Sequence, residues 1–222
     1  MYDWTTHTHT HLGGRCSHEC SYCFVQRGMA RMSHKYEGQI CLHDHELCVD
    51  YGIGKIIFVE HCNDLFAKDV PEQFIEKILS HCRIFPDNEY VFQTKNPIRY
   101  IFALGMFPPK FILGTTIETN RSDVIKMISK APDPAIRYLA MSDTRLRTRK
   151  FVTVEPILDF DPEILAGWIT AIAPEFVNIG ADSKGTGLLE PTPGKIERLI
   201  QLLNENKVTI RKKTNLERII KV

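Results

Sequence analysis

Short apolar runs with β-branched or aromatic centres recur along the chain, each followed by a longer stretch with helical spacing. Five of them lie at residues 55–60 (KIIFVE), 89–94 (EYVFQT), 110–117 (KFILGTTI), 151–156 (FVTVEP) and 176–180 (FVNIG). Residues 2–12 alternate polar and aromatic positions ahead of these runs, and residues 208–212 make a last short strand candidate. The unbroken apolar centres of the middle runs predict strands buried on both faces, as in a parallel sheet.

Between the runs the period changes. The spacing predicts a helix over 70–83, with Phe74, Ile75, Ile78 and Leu79 on one face and Pro71 in the first turn. A second, over 161–173, opens on Asp161-Pro162-Glu163, an N-cap, a proline at the first helical position and an early acid. A third, over 192–206, repeats the device with Thr192-Pro193 and sets Ile196, Leu199, Ile200 and Leu203 on one face. A shorter helix is expected over 121–130. Regular strand–helix alternation implies an α/β fold with right-handed crossovers. About six such units fall short of a full eight-unit barrel. A partial (β/α)6 TIM-like barrel fits the count, with a doubly wound open sheet as the alternative.

In parallel α/β folds, chemistry sits at the carboxyl ends of the strands. Here those ends read Glu60-His61-Cys62-Asn63-Asp64, Gln93-Thr94-Lys95-Asn96, Thr115 to Asn120 (TTIETN), Glu155-Pro156 and Gly180 to Lys184 (GADSK). Polar residues following every apolar strand predict a ligand-binding mouth.

Composition narrows the class. Charged residues at 25% beside 43% hydrophobic ones describe a globular chain rather than a disordered one. No apolar run is long enough to cross a bilayer. The first 15 residues hold Asp3 and three histidines but no apolar signal core, so a cytoplasmic location is expected. A net charge of +1 neither demands nor excludes a nucleic-acid partner. Local excesses exist, with Arg137, Arg145, Arg147, Arg149 and Lys150 facing only Asp143 between residues 137 and 150. Near the C-terminus Lys207, Arg211, Lys212, Lys213, Arg218 and Lys221 face only Glu217. Such segments are usually solvated faces, but Lys213 and Asn215, just past the last strand, are placed to reach the mouth and draw in a phosphorylated ligand.

Seven cysteines lie at 16, 20, 23, 41, 48, 62 and 82. The odd count and the tight first trio argue against a disulfide framework. The trio sits in Gly13-Gly14-Arg15-Cys16-Ser17-His18-Glu19-Cys20-Ser21-Tyr22-Cys23, between the first strand and the first helix. Three thiolates within eight residues can turn onto one small inorganic body, such as an iron–sulfur cluster. Three ligands on a four-iron cube leave one iron open, and the two glycines allow the backbone to approach the cluster closely. Zinc, with His18 as fourth ligand, is the alternative, although the spacing is not common for a zinc ribbon.

The C-x3-C-x-(aromatic)-C pattern resembles the signature of the radical S-adenosylmethionine (radical SAM) superfamily. That resemblance implies a [4Fe–4S] cluster on Cys16, Cys20 and Cys23, in the loop after the first strand of a six-unit partial barrel. It also implies S-adenosyl-L-methionine bound at the open iron, reductive cleavage to a 5′-deoxyadenosyl radical, and a reductant such as flavodoxin or ferredoxin. The segments WTTHTHTH (4–11), FVEHCNDLF (58–66), QTKNP (93–97), GTTIETNR (114–121) and VEPI (154–157) extend the likeness over nearly the whole chain. They resemble one radical SAM family of unknown function, found in phage and prokaryotic genomes. A single radical SAM domain over 1–222, with the cluster loop at 13–24 and no auxiliary-cluster domain, is the corresponding expectation.

The resemblance further implies cofactor-binding roles. Tyr22 would present backbone groups to the adenine. Glu60 would meet the methionine amine, although the usual Gly-Gly-Glu is replaced here by Phe-Val-Glu-His. Lys95 would meet the cofactor carboxylate, or stand as a rim cation. Glu118 and Asn120 would bind ribose hydroxyls, and Glu155 the ribose or the substrate. Each carboxylate has an ion pair at the barrel rim as its structural alternative. His7, His9 and His11 share one strand face and are expected as hydrogen-bonded histidines rather than a metal triad. Cys41, Cys48 and Cys62 match no ferredoxin spacing and are expected as buried free cysteines, with Cys62 beside the mouth. By analogy with the spore photoproduct lyase branch, a nucleic acid or nucleotide is one substrate expectation. A non-catalytic zinc- or Fe–S-binding interaction module is the alternative function.

Overall fold

The strands of the sequence reading assemble, in a computed structural model that describes residues 2–28, 33–183 and 185–220, into one parallel sheet. Lys184 and Lys221, named above at a strand exit and in the C-terminal basic segment, lie outside the described residues. In chain order the strands are β1 (His7–His9), β2 (Leu12–Gly13), β3 (Cys41–Leu42), β4 (Ile56–Val59), β5 (Glu89–Thr94), β6 (Phe111–Thr116), β7 (Lys150–Val154), β8 (Phe176–Ile179) and β9 (Ile210–Lys212). The α-helices are α1 (Phe24–Gly28), α2 (Glu72–Ile84), α3 (Arg99–Ala103), α4 (Ser122–Lys126), α5 (Pro134–Met141), α6 (Pro162–Ile172), α7 (Pro193–Glu205) and α8 (Glu217–Ile220). The sheet runs β1-β4-β5-β6-β7-β8-β9 with every pair parallel, and β2 with β3 forms a small antiparallel pair beside it. Strands β1 and β9 are the two edges, so the barrel is open along that seam. The architecture is the expected α/β partial TIM-like barrel.

Strand alternation divides the core. Ile57, Val59, Tyr90, Phe92, Leu113, Val152, Val154, Val177 and Ile179 pack outward against the helices. Phe58, Val91, Ile112, Phe151 and Phe176 point inward and, with Tyr2 and Trp4, close the amino-terminal end of the barrel. Burying a side chain as large as Phe151 contributes ~1.5–3 kcal/mol. Its ring needs Gly114 opposite, because a Cβ there would stand 2.1 Å from it. One layer higher the interior turns polar. The Tyr2 hydroxyl donates to Gln93 Oε1 at 2.7 Å and lies 2.5 Å from Thr153 Oγ1, while Asn178 Nδ2 donates to Thr153 Oγ1 at 3.3 Å. The segment expected as a single strand over 2–12 is therefore a plug followed by two short strands.

The helices follow the apolar spacing with shifts at their ends. Pro71 is the N-cap of α2 rather than a residue of its first turn. Asp161 does occupy the N-cap of α6, but its carboxylate is taken by Asn120 Nδ2 at 3.0 Å. Helix α4 stops at Lys126, since the residues beyond it bond to the cysteine loop instead of extending the helix. Among the described residues no helix is long and apolar enough to cross a membrane.

Candidate active site

At the carboxyl ends of the strands lies a cavity of about 410 Å³. Its lining gathers the cysteine loop and the exits of β4, β5, β7 and β8, with Lys213 after β9. Cys16, Cys20 and Cys23 all line it, as do Tyr22, Glu60, Lys95 and Glu155; Glu118 and Asn120 do not.

Hydrogen bonds clamp the cysteine loop from two sides. On one side His18 Nε2 meets Asp64 Oδ2 at 2.8 Å, both groups nearly buried. Asp64 also accepts from Thr94 Oγ1 at 2.6 Å and from the backbone N–H groups of Phe66 at 3.0 Å and Lys95 at 2.9 Å. Burial would raise its pKa, but the charge and hydrogen bond of His18 prevail and hold it at about 2. On the other side Ser21 N donates to Ile128 O at 2.8 Å and Lys130 N to His18 O at 2.7 Å. Ser129 Oγ lies 3.1 Å from Cys20 Sγ. Both glycines of the loop pack tightly against the segment that follows α1. A Cβ on Gly13 would strike His43 Nε2 at 2.3 Å, and one on Gly14, at φ +82, would meet Gln39 O at 2.1 Å.

Beneath this loop lies a buried charge group. Glu118 is fully buried; its Oε2 takes Arg137 Nη1 at 2.6 Å and its Oε1 accepts from the Tyr22 hydroxyl. Lys95 Nζ stands 3.7 Å from Glu118 Oε1 and 5.4 Å from the Tyr22 ring centre. Burial opposes the Glu118 charge, yet Arg137 and then Lys95 outweigh it and hold the carboxyl at about 2. For Lys95, burial is likewise outweighed, by Cys20 and Glu118, and its pKa is raised. Arg137, read from the sequence as part of a solvated basic face, is a fully buried side chain that also donates to Pro132 O and Thr116 O. Its neighbours are not a free basic face either. Arg145 pairs with Asp143, and Arg149 with Glu89 and Glu175 at the opposite end of the barrel.

The remaining predicted residues separate by neighbourhood. Glu60 Oε1 accepts from His11 N at 2.7 Å and meets His11 Nδ1 at 2.8 Å, while Oε2 accepts from Leu12 N at 3.2 Å. Its carboxylate is thereby engaged in fixing the β1–β2 connection. Asn120 joins Asp161 through both its amide atoms at the α6 start. Glu155 faces the cavity, with Lys213 Nζ 2.5 Å from Oε2 and Asn215 Nδ2 donating to Oε1 at 3.0 Å. His11 lies buried between Glu60, the Tyr51 hydroxyl at 2.9 Å and His81 Nδ1 at 3.2 Å. His9 bonds Glu46, and the ring of His7, on the edge strand, lies 2.9 Å from Thr6 Oγ1. Cys41 and Cys48 are exposed, against the expectation of burial, because they sit on a two-residue strand and a 3-10 turn outside the core. Cys62 is half-buried and lines the cavity, with Sγ 3.7 Å from His61 Nδ1.

Sequence reasoning missed Asp64, Ser129 and Arg137 as parts of the site. Asp64 appeared only as a rim residue and His18 only as a zinc ligand. A buried acid meeting a histidine 46 positions away leaves no local signal.

Three thiols lining one cavity suit an iron–sulfur cluster with an open iron, since no further protein donor is required. Among the described residues no three His, Cys, Asp or Glu side chains converge tightly enough to hold a single metal ion. A four-iron cube takes each thiolate on a different iron, so its ligands surround a body rather than a point.

A family model described as "Protein of unknown function (DUF5131)" matches residues 2–169. No curated protein matches the sequence. Among solved structures, a spore photoproduct lyase mutant with bound AdoMet and dinucleoside spore photoproduct is similar with TM-score 0.57 and 14% identity. The match covers 88% of this chain and 60% of that one. Streptococcus suis SuiB bound to S-adenosylmethionine gives TM-score 0.59 at 8% identity, over 94% of this chain and 50% of SuiB. A radical SAM methyltransferase from Sphaerobacter thermophilus gives 0.57 at 12%, over 96% and 67%. The chain thus has the fold of radical SAM enzymes and spans about half to two thirds of their length.

Proposed function

The chain belongs to the DUF5131 family and carries a radical SAM fold, and from that premise we propose that it is a radical SAM enzyme. The observation that supports this best is that Cys16, Cys20 and Cys23 all line the cavity at the strand ends. Held there, a [4Fe–4S] cluster would supply the electron that cleaves S-adenosylmethionine to a 5′-deoxyadenosyl radical.

The chain's own part is to hold, orient and shield. Asp64 and His18 fix the cysteine loop against the exits of β4 and β5. Lys95 brings a cation to the cavity wall, where it suits the cofactor carboxylate. Tyr22 is anchored through Glu118, which leaves the loop beside it fixed for the adenine. In this reading Glu118, Glu60 and Asn120 act by holding backbone and charge in place, because their polar atoms already have partners. Glu155, with Lys213 and Asn215, faces the cavity from the opposite wall and is the carboxylate placed for ribose or substrate. The polar floor of Tyr2, Gln93 and Thr153 closes the barrel below and limits water there.

The whole of 1–222 acts as one radical SAM domain in this reading, with its cluster loop at 13–24. Seven free cysteines suit a reducing cytoplasm with a flavodoxin or ferredoxin as electron donor. A nucleic-acid substrate rests on Lys213, which lines the mouth, and its signature is binding that weakens steeply with salt. Replacing Cys20 with Ala should abolish 5′-deoxyadenosine release under dithionite; full release by that variant would overturn the assignment.

A further inference from the structure

Around the Ser129 hydroxyl stand three polar neighbours, one N–H that donates to it and two atoms, His18 O and Cys20 Sγ, that can each take its one proton. Ala131 N donates to Oγ at 3.1 Å, His18 O lies 3.2 Å away, and Cys20 Sγ lies 3.1 Å away. Ser129 and Cys20 are both buried. Their spacing is set by backbone on each side. Ser129 N donates to Ile125 O at 3.0 Å, Lys130 N to His18 O at 2.7 Å, and Ser21 N to Ile128 O at 2.8 Å. The hydroxyl is therefore held against that one sulfur by three backbone bonds.

A hydroxyl offers one donor and two acceptor sites. With Cys20 as a free thiol, the S–H can donate to Oγ while the O–H turns to His18 O. An iron-bound sulfur carries no proton and a negative charge, so the only proton left between the two atoms is that of Ser129. His18 O loses little when the O–H turns, because it keeps the Lys130 N–H. The bond to sulfur gains from charge and from burial. The Ala131 N–H polarises Oγ further in the same direction.

We propose that Ser129 is the outer hydrogen-bond donor to the Cys20 sulfur of the cluster, and that it raises the cluster's reduction potential. This rests on the reading of Cys16, Cys20 and Cys23 as cluster ligands. Adding one electron makes the cluster more negative, so a donor to its sulfur stabilises the reduced form more than the oxidised one. Ser129 acts through the sulfur and is a positioning residue.

The test is an anaerobic one-electron titration of the reconstituted full-length chain with dithionite, read by electron paramagnetic resonance without S-adenosylmethionine. Wild type, Ser129→Ala and Ser129→Thr are compared at equal iron content. The expected result is a midpoint shifted to more negative potential in Ser129→Ala and close to wild type in Ser129→Thr, which keeps the hydroxyl. Equal midpoints in Ala and wild type would overturn the proposal, as would a shift as large in Thr as in Ala. Should Ser129→Ala not load iron, Ser129→Val against Ser129→Thr, nearly equal in volume, makes the same comparison with the same expected direction. A wild-type chain that takes up no iron and sulfide would instead overturn the ligand reading itself.

Discussion

At and behind the wall of the cavity built by β4, β5 and β6, the carboxylates of Asp64, which lines the cavity, and Glu118, which does not, are buried and engaged by several partners each, with pKa values held at about 2. On the wall built by β7, β8 and β9, Glu155 meets the cavity through a single short pair with Lys213 and one amide bond from Asn215. The first wall carries the cysteine loop and behaves as a fixed frame. The second has groups that a ligand can address directly. A mouth that must hold a cofactor in one geometry and accept a substrate beside it gains from this division, since preorganisation and access call for opposite environments.

Substitutions should separate the walls by size of effect. The largest loss is expected from Glu118→Ala, which leaves the Arg137 charge buried and unpaired, at a cost of ~3–5 kcal/mol. Denaturant unfolding measures it, and an unchanged midpoint would erase the contrast between the walls. Acid comes next, through the two frame carboxylates. Glu118 and Asp64 have folded pKa values below the ordinary 4.5 and 3.8, so the stability they contribute is present above those values. It should drain away as pH falls from about 4.5 towards 2, which unfolding curves at stepped pH would show.

Asp64→Asn keeps the shape and removes the charge, and is expected to cost ~1–3 kcal/mol. Amide hydrogen exchange should accelerate at residues 15–23 and stay unchanged in α6 and α7; uniform acceleration would mean that Asp64 is not specific to the cysteine loop. Glu155→Gln should be the mildest, under ~1 kcal/mol, because the Glu155–Lys213 pair is partly open to solvent. It should leave iron content unchanged while altering cofactor or substrate affinity, and an equal loss of iron would move Glu155 into the frame.

The frame was the less legible half. The strands could be read because both-face burial writes continuous apolar runs, and the three cysteines because their spacing is local. Helix α4 was expected to reach residue 130, but residues 128–130 turn aside to bond the cysteine loop, a choice made by tertiary partners. Helix α5, outside the expected helices, carries its own signal, with Asp133 accepting from Ala135 N at 2.9 Å and Pro134 behind it. Arg137 read as surface because its row of basic neighbours is exposed, while its partner lies 19 positions upstream. Of the carboxylates at strand exits, sequence gave no means to tell Glu118, sealed by Arg137, from Glu155, left at the cavity.

The most direct test of the radical SAM reading is anaerobic reconstitution followed by metal analysis and incubation with dithionite and S-adenosylmethionine. About four irons per chain together with 5′-deoxyadenosine release is the expected result. Zinc in place of iron, with no 5′-deoxyadenosine formed, would contradict it.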